Sequence, residues 1–355
     1  MSADSPAVKS NARRMAGGIA ALIMGLAAVA WILAATPSTS PPAPGKPLYF
    51  GVNLSSAEFA PEKLPGVHGK DYVYPTRATA RPFVAMGMNM VRLPILWERI
   101  QPRPMGTLDP AELQRLDRTV ADLDGFTVVI IDIHNYARYR GEVLTAAPGS
   151  VELLPDLWRR LAEHYKGSPK VAFGLMNEPH DMDGSDWRAV LDRTVVAVRA
   201  TGARNLMLVP GVRWTGGHAW FEGGEESSAA LLAGFKDPAN NFLFEVHQYL
   251  DGNSSGSGSR CAGKTIGRER LARLTQWLRQ EKAGAILAEF GASTSPDCLE
   301  SLDDLLGFLG THADVWRGWT YWAAGDWWGD YPYSIQPGAS GEKPQITVLR
   351  RHLAL

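Results

Sequence analysis

Six stretches of the chain set chemistry-bearing side chains at the end of an apolar run: Arg92-Leu-Pro94, Asp132-Ile-His134-Asn135-Tyr136, Asn177-Glu178-Pro179-His180, His247-Gln-Tyr249, Glu289-Phe-Gly291 and Trp322. Glu178 and Glu289 are the pair suited to breaking an acetal. Two carboxyl groups about 5–5.5 Å apart cleave a glycosidic bond with retention, one as nucleophile and the other as acid and then base. A gap of about 6.5–9.5 Å leaves room for a water and inverts the centre. The plain alternative for either glutamate alone is a salt bridge at a rim, and for a lone polar strand end a helix cap. Six such ends in one chain do not fit caps. His134 and His247 near carboxylates raise the question of a metal, but no His-x-His or His-Glu-x-x-His spacing occurs, so neither metal nor cofactor is expected.

The elements that must hold these groups alternate. Apolar, β-rich runs occur at 48–54, 88–95, 126–134, 171–178, 205–211, 242–249, 285–291 and 315–323, with helix-period segments at 111–123, 153–165, 187–200, 268–282 and 299–311 between them. Alternation of this kind predicts a parallel sheet. Eight runs predict an α/β fold, a single (β/α)8 TIM barrel, in which every strand end converges on one face. An open doubly wound sheet is the alternative, but no Gly-rich phosphate turn follows the first run. In a barrel Glu178 ends the fourth strand and Glu289 the seventh, on nearly opposite walls.

Composition narrows the partners. With 36 basic and 37 acidic side chains there is no electrostatic footprint for nucleic acid. Two cysteines exclude a disulfide scaffold and a cysteine-only zinc site. Trp (12) outnumbers Phe (11) and Tyr (10), a surplus suited to stacking on the flat apolar faces of sugar rings. Residues 1–14 are a basic cytoplasmic start carrying Lys9, Arg13 and Arg14, and 15–35 are uncharged and apolar. That stretch reads as a signal-anchor or a signal peptide. The anchor is favoured by its length and by Leu33, which sits where cleavage after Ala35 would want a small residue. Either reading exports the rest. Residues 36–47, with Pro37, Pro41, Pro42, Pro44 and Pro47, form a Pro/Ser-rich linker, and 48–355 the catalytic domain.

The sequence resembles glycoside hydrolase family 5, and within it the endo-β-1,4-glucanases of subfamily 5. The resemblance is carried by Gly51-Val-Asn-Leu54, Val91-Arg-Leu-Pro94, Asp132-Ile-His-Asn-Tyr-Ala-Arg138 and Leu175-Met-Asn-Glu-Pro-His-Asp181. It continues in Phe244-Glu-Val-His-Gln-Tyr-Leu-Asp251, Leu287-Ala-Glu-Phe-Gly291 and Gly318-Trp-Thr-Tyr-Trp-Ala-Ala-Gly325, all in family order. It implies Glu178 as acid/base and Glu289 as nucleophile. Asn177 would donate to the sugar 2-hydroxyl, and Arg92 and Tyr249 would hydrogen-bond Glu289. His134 and His247 would line the cleft and bond sugar or Glu178, and Trp322 would form the floor under the reacting ring. Of the loop tryptophans Trp97, Trp214, Trp220, Trp327 and Trp328, some would stack further sugars, while Trp158, Trp187 and Trp277 fall in helical segments as core.

Cys261 and Cys298 follow strands six and seven. An exported chain permits a disulfide there and the resemblance points the same way; two free thiols are the alternative. The expected activity is retaining hydrolysis of internal β-1,4-glucosidic bonds by a monomer, the partner being a β-1,4-glucan, with membrane attachment through 15–35 if that segment is uncleaved. A β-1,4-mannanase or mixed-linkage glucanase on the same scaffold, or a barrel that binds glucan without cutting it, are the alternatives.

Overall fold

The computed structural model describes residues 48–338 and 341–353. The expected basic start, apolar segment and linker (1–47) lie outside the described residues. Among the described residues no helix is long and apolar enough to cross a membrane.

Eight strands carry the fold: β1 (Tyr49–Leu54), β2 (Met90–Ile95), β3 (Val128–Ile133), β4 (Val171–Gly174), β5 (Met207–Pro210), β6 (Phe242–His247), β7 (Ala285–Glu289) and β8 (Trp316–Ala324). Each pairs in parallel with its neighbour in sequence, and β8 closes onto β1, so the barrel is complete. Closure removes every edge strand. The following helices are α1 (Arg77–Ala85), α2 (Pro110–Asp122), α3 (Leu153–Tyr165), α4 (Gly184–Ala200), the short α5 (Ser228–Leu232), α6 (Ile266–Glu281), α7 (Pro296–Thr311) and α8 (Pro344–Arg351). The eight-fold expectation holds; α1, α5 and α8 had no counterpart among the expected helices.

Local chemistry explains the helices. Asp109 caps α2 by accepting from the backbone N–H of Ala111 and Glu112, with Pro110 at the first helical position where no donor is needed. Along α3, Leu154, Leu157, Trp158, Leu161, Ala162 and Tyr165 are buried at helical spacing and face the sheet. Cys261 and Cys298 are joined, Cα to Cα 5.2 Å, with Cys298 in the first turn of α7 rather than in a loop.

The barrel interior is layered. At one end Met90, Ile130, Ala172, Leu208, Leu243, Ile286 and Ala288 fill the bore with apolar side chains. Side chains two residues further along a strand share its face. Met90 is thus succeeded by Arg92, Ile130 by Asp132 and Leu243 by Glu245, all fully buried. The next storey up is therefore ionic. This is the end of the barrel where the strands finish and the polar groups converge.

Two local irregularities set the glutamates. β4 ends at Gly174, not at 178 as its apolar run suggests, yet the chain still tracks its neighbours through Leu175 N–H to Leu208 O (3.2 Å) and Asn177 N–H to Ile133 O (2.7 Å). Glu178 then turns with φ 42°, in the left-handed region that non-glycine residues adopt only when their surroundings impose it. On β7 a register shift against β6 falls between Val246 and His247, so His247 sits opposite Glu289. Ala288 belongs to the interior cluster, and its neighbour Glu289 also reaches inward to Arg92, which an unbroken strand with period-two alternation forbids.

Candidate active site

Arg92 is the hub of the ionic storey. Its Nη1 donates to Glu289 Oε1 (2.7 Å) and Asn53 Oδ1 (3.0 Å), and its Nη2 to Asn177 Oδ1 (2.8 Å). Asp132 and Glu245 approach Nη2 at 3.0 Å each. A guanidinium fork serves several oxygens at fixed angles, which a lysine ammonium cannot do. Glu289 is further held by the Tyr249 hydroxyl, donating to Oε2 at 3.0 Å. Burial and then the charge of Glu289 raise the Tyr249 phenol well above its ordinary value, so it stays a donor. Asn177 spends its oxygen on Arg92, leaving its buried amide nitrogen without a partner in the protein.

Glu178 meets His247, whose Nδ1 lies 2.8 Å from Glu178 Oε1 and 3.5 Å from Glu289 Oε2. The other ring nitrogen, Nε2, faces Glu245 Oε1 at 3.2 Å. Burial alone would pull the imidazole down, but the charge of Glu289 and the hydrogen bonds to Glu178 and Glu245 outweigh it and push its pKa up to about 10. One oxygen of Glu178, one of Glu289 and a ring nitrogen of His247 all lie within 4.8 Å of one another. Such close approach also arises when an imidazole hydrogen-bonds acidic neighbours, as Nδ1 does Glu178 here. The two carboxyl groups thus stand at the shorter of the separations relevant to glycoside cleavage.

His134 pairs with Asp132 through Nδ1 (2.8 Å) and lies parallel to the Trp322 indole, ring centres 5.6 Å apart and 11° between planes. Burial lowers its basicity, the Asp132 contact raises it more, and the net shift is upward. Trp322, 9% exposed, borders two cavities. One, about 490 Å³, holds Glu178, Glu289, Tyr249, Trp214 and the Asn253–Ser255 segment. The other, about 960 Å³, holds Glu58, Phe59, Glu98, Arg138 and Trp328. His134, Tyr136 and Trp322 line both, so the cleft runs across the indole and opens on either side of it.

All eight expected polar and aromatic site residues, Arg92, His134, Asn177, Glu178, His247, Tyr249, Glu289 and Trp322, are gathered at this one place. The loop tryptophans divide. Trp97 and Trp220 are fully buried and cannot meet a ligand; Trp214 (46% exposed) and Trp328 line the cleft, and Trp327 (38% exposed) faces solvent. Trp158, Trp187 and Trp277 are core, as expected. Not foreseen as site residues were Glu245 and the buried Glu58, whose carboxyl accepts from Ser55 Oγ and from Ser56 N–H (2.9 Å) and is raised above its ordinary pKa by burial. The sequence carries a signal for Glu245: it stands two residues before His247 in an otherwise apolar run.

A closed parallel barrel whose mouth sets two facing carboxyl groups beside an indole, in a cleft that opens on both sides of it, has the layout of a glycoside hydrolase. The comparisons agree. The chain belongs to glycosyl hydrolase family 5: the family model described as Cellulase (glycosyl hydrolase family 5) matches residues 45–325. It is 35% identical over 291 residues to endo-beta-1,4-glucanase B of Aspergillus niger, covering 81% of this chain and 85% of that one. Among solved structures it is similar to XacCel5A in complex with cellopentaose, at 43% identity and TM-score 0.84 over 86% of this chain and 99% of that chain. It is also similar to the Pseudomonas stutzeri endoglucanase Cel5A in complex with cellobiose, at 31% identity and TM-score 0.80 over 87% and 93%.

Proposed function

We propose that this protein is an endo-β-1,4-glucanase that hydrolyses internal bonds of a β-1,4-glucan with retention. The observation that carries the proposal is the pair of carboxyl groups, one oxygen of each within 4.8 Å, facing across the barrel mouth. Glu289, fixed by Arg92 and Tyr249, attacks the anomeric carbon of the ring lying on Trp322. Glu178 gives its proton to the departing oxygen, then takes one from the water that releases the glycosyl enzyme. The free amide nitrogen of Asn177 donates to the 2-hydroxyl as positive charge develops on the ring. Room on both sides of Trp322 supports attack in mid-chain. The names of the relatives, and the cellopentaose and cellobiose held by two of the similar structures, support glucan as substrate.

The catalytic domain acts as a monomer outside the cytoplasm, tethered by or released from the apolar segment 15–35. The Cys261–Cys298 disulfide supports this, since such bonds persist in oxidising compartments. Proton NMR of the first product from a soluble cellulose derivative tests retention: the β-anomer is expected, and an initial α-anomer refutes it. Glu289→Gln should abolish turnover with its circular dichroism unchanged. Parallel assays on carboxymethyl cellulose, barley glucan and mannan test the substrate; mannan preferred over both glucans overturns that part.

A further inference from the structure

We propose that Glu245 is a positioning residue of this site: it holds the His247 ring as a doubly donating imidazolium and so decides which oxygen of Glu178 carries the acid proton. The inference rests on Glu178 being the acid/base.

Glu245 is fully buried inside the barrel on β6, on the same strand face as His247 two residues on. Its Oε1 lies 3.2 Å from His247 Nε2 and 3.0 Å from Arg92 Nη2, and its Oε2 has no partner in the protein. A carboxylate clamped by a guanidinium is an acceptor only. The one hydrogen-bond partner of Nε2 is therefore an acceptor, and Nε2 carries hydrogen. This is how a buried aspartate orients the histidine of a serine-protease triad, by fixing tautomer and ring plane without itself titrating.

The opposite nitrogen faces Glu178 Oε1 at 2.8 Å. With Nε2–H committed to Glu245, the ring can turn neither nitrogen away. The fixed charges around it favour the cation: Glu289 from β7 and Glu245 from β6 itself, with Arg92 of β2 behind Glu245 and Tyr249 behind Glu289, while Glu178 from the turn after β4 adds its charge once its proton is delivered. The upward shift of His247 to about 10 agrees. Nδ1–H then donates to Oε1 of Glu178, so the proton that Glu178 delivers resides on Oε2, the oxygen left for the substrate. Loss of that proton leaves a carboxylate beside an imidazolium, ready to act as the base of the second step.

The test is nitrogen-15 NMR of the imidazoles in the full-length protein, with the His247 signals assigned by their loss in His247→Gln. In the wild type both nitrogens of His247 should stay protonated from pH 6 to 9; a bare Nε2 in that range overturns the proposal whether or not Glu245→Gln folds. In Glu245→Gln, which keeps the shape and removes the charge, His247 should titrate at least one pH unit lower. A merely structural role lowers kcat evenly at every pH, and an unmoved His247 titration in a folded Glu245→Gln protein refutes the proposal. Glu178→Gln separates the two readings: if it still hydrolyses glucan, the acid/base assignment fails whatever Glu245 does.

Discussion

Arg92→Lys is the sharpest probe of the ionic storey, because it keeps the charge and removes only the fork. Arg92 has five oxygens within 3.0 Å: those of Asn53, Asn177, Asp132, Glu245 and Glu289. A single ammonium cannot stand in for both ends of the fork, so the contacts of one end, Asn53 with Glu289 or Asn177 with Asp132 and Glu245, go unmade. Hydrogen bonds to charged groups contribute about 1.5–3 kcal/mol each, giving a loss of about 3–6 kcal/mol for two at this fully buried guanidinium. For a domain of about 300 residues that corresponds to a fall in Tm of about 5–10 °C. Calorimetry measures it, and reducing-end release on carboxymethyl cellulose measures the accompanying fall in kcat as Glu289 loses its fixed position. A variant melting within about 2 °C of wild type with unchanged kcat would refute the claim that geometry, rather than charge alone, organises this site.

Other perturbations act on separate parts of the molecule. Trp214 lies exposed on the cleft wall, stacked on His180 with ring centres 4.5 Å apart, so Trp214→Ala should raise KM for cellopentaose about 5-fold, the equivalent of ~1 kcal/mol of apolar contact; an unchanged KM removes it from the cleft. The double variant Cys261→Ser/Cys298→Ser opens a link spanning 37 residues and should cost about 3–4 kcal/mol in the chain-entropy model, read as a lower urea midpoint. The His247 imidazole, near 6.5 when unfolded and about 10 when folded, contributes stability that is complete below about 6.5 and lost as pH rises through about 10. The urea midpoint of the wild type should therefore fall between pH 7 and 10, and His247→Gln should flatten that slope; identical slopes for the two proteins contradict it.

The strand-and-helix alternation and the polar strand ends were legible because a buried parallel strand should be apolar throughout, and each departure marks a place where the chain spends its polarity on purpose. Arg92, Glu178, His247 and Glu289 were found that way. The inward face of β6 was harder to read: Glu245 sits among apolar neighbours, and only counting by twos from His247 puts it beneath the site. Glu58 escaped because it lies in the loop after β1, where no periodicity says which way a side chain turns. The loop tryptophans show the same limit. Trp220 packs edge-on against Trp277 of α6 while Trp214, six residues earlier, stays open, and that difference comes from where α6 lies rather than from either residue.

The ionic storey also bears on how such a barrel could be made hardier. Where Met90, Ile130 and Leu243 fill the lower bore with hydrocarbon, their successors Arg92, Asp132 and Glu245 place charge in a fully buried layer. Replacing a buried ionic cluster by well-packed apolar groups of equal volume is often neutral or stabilising. Heat tolerance and turnover are therefore opposed at this one level of the bore, and an engineer seeking a hotter-running catalyst would do better to leave it alone and work on the outer helices.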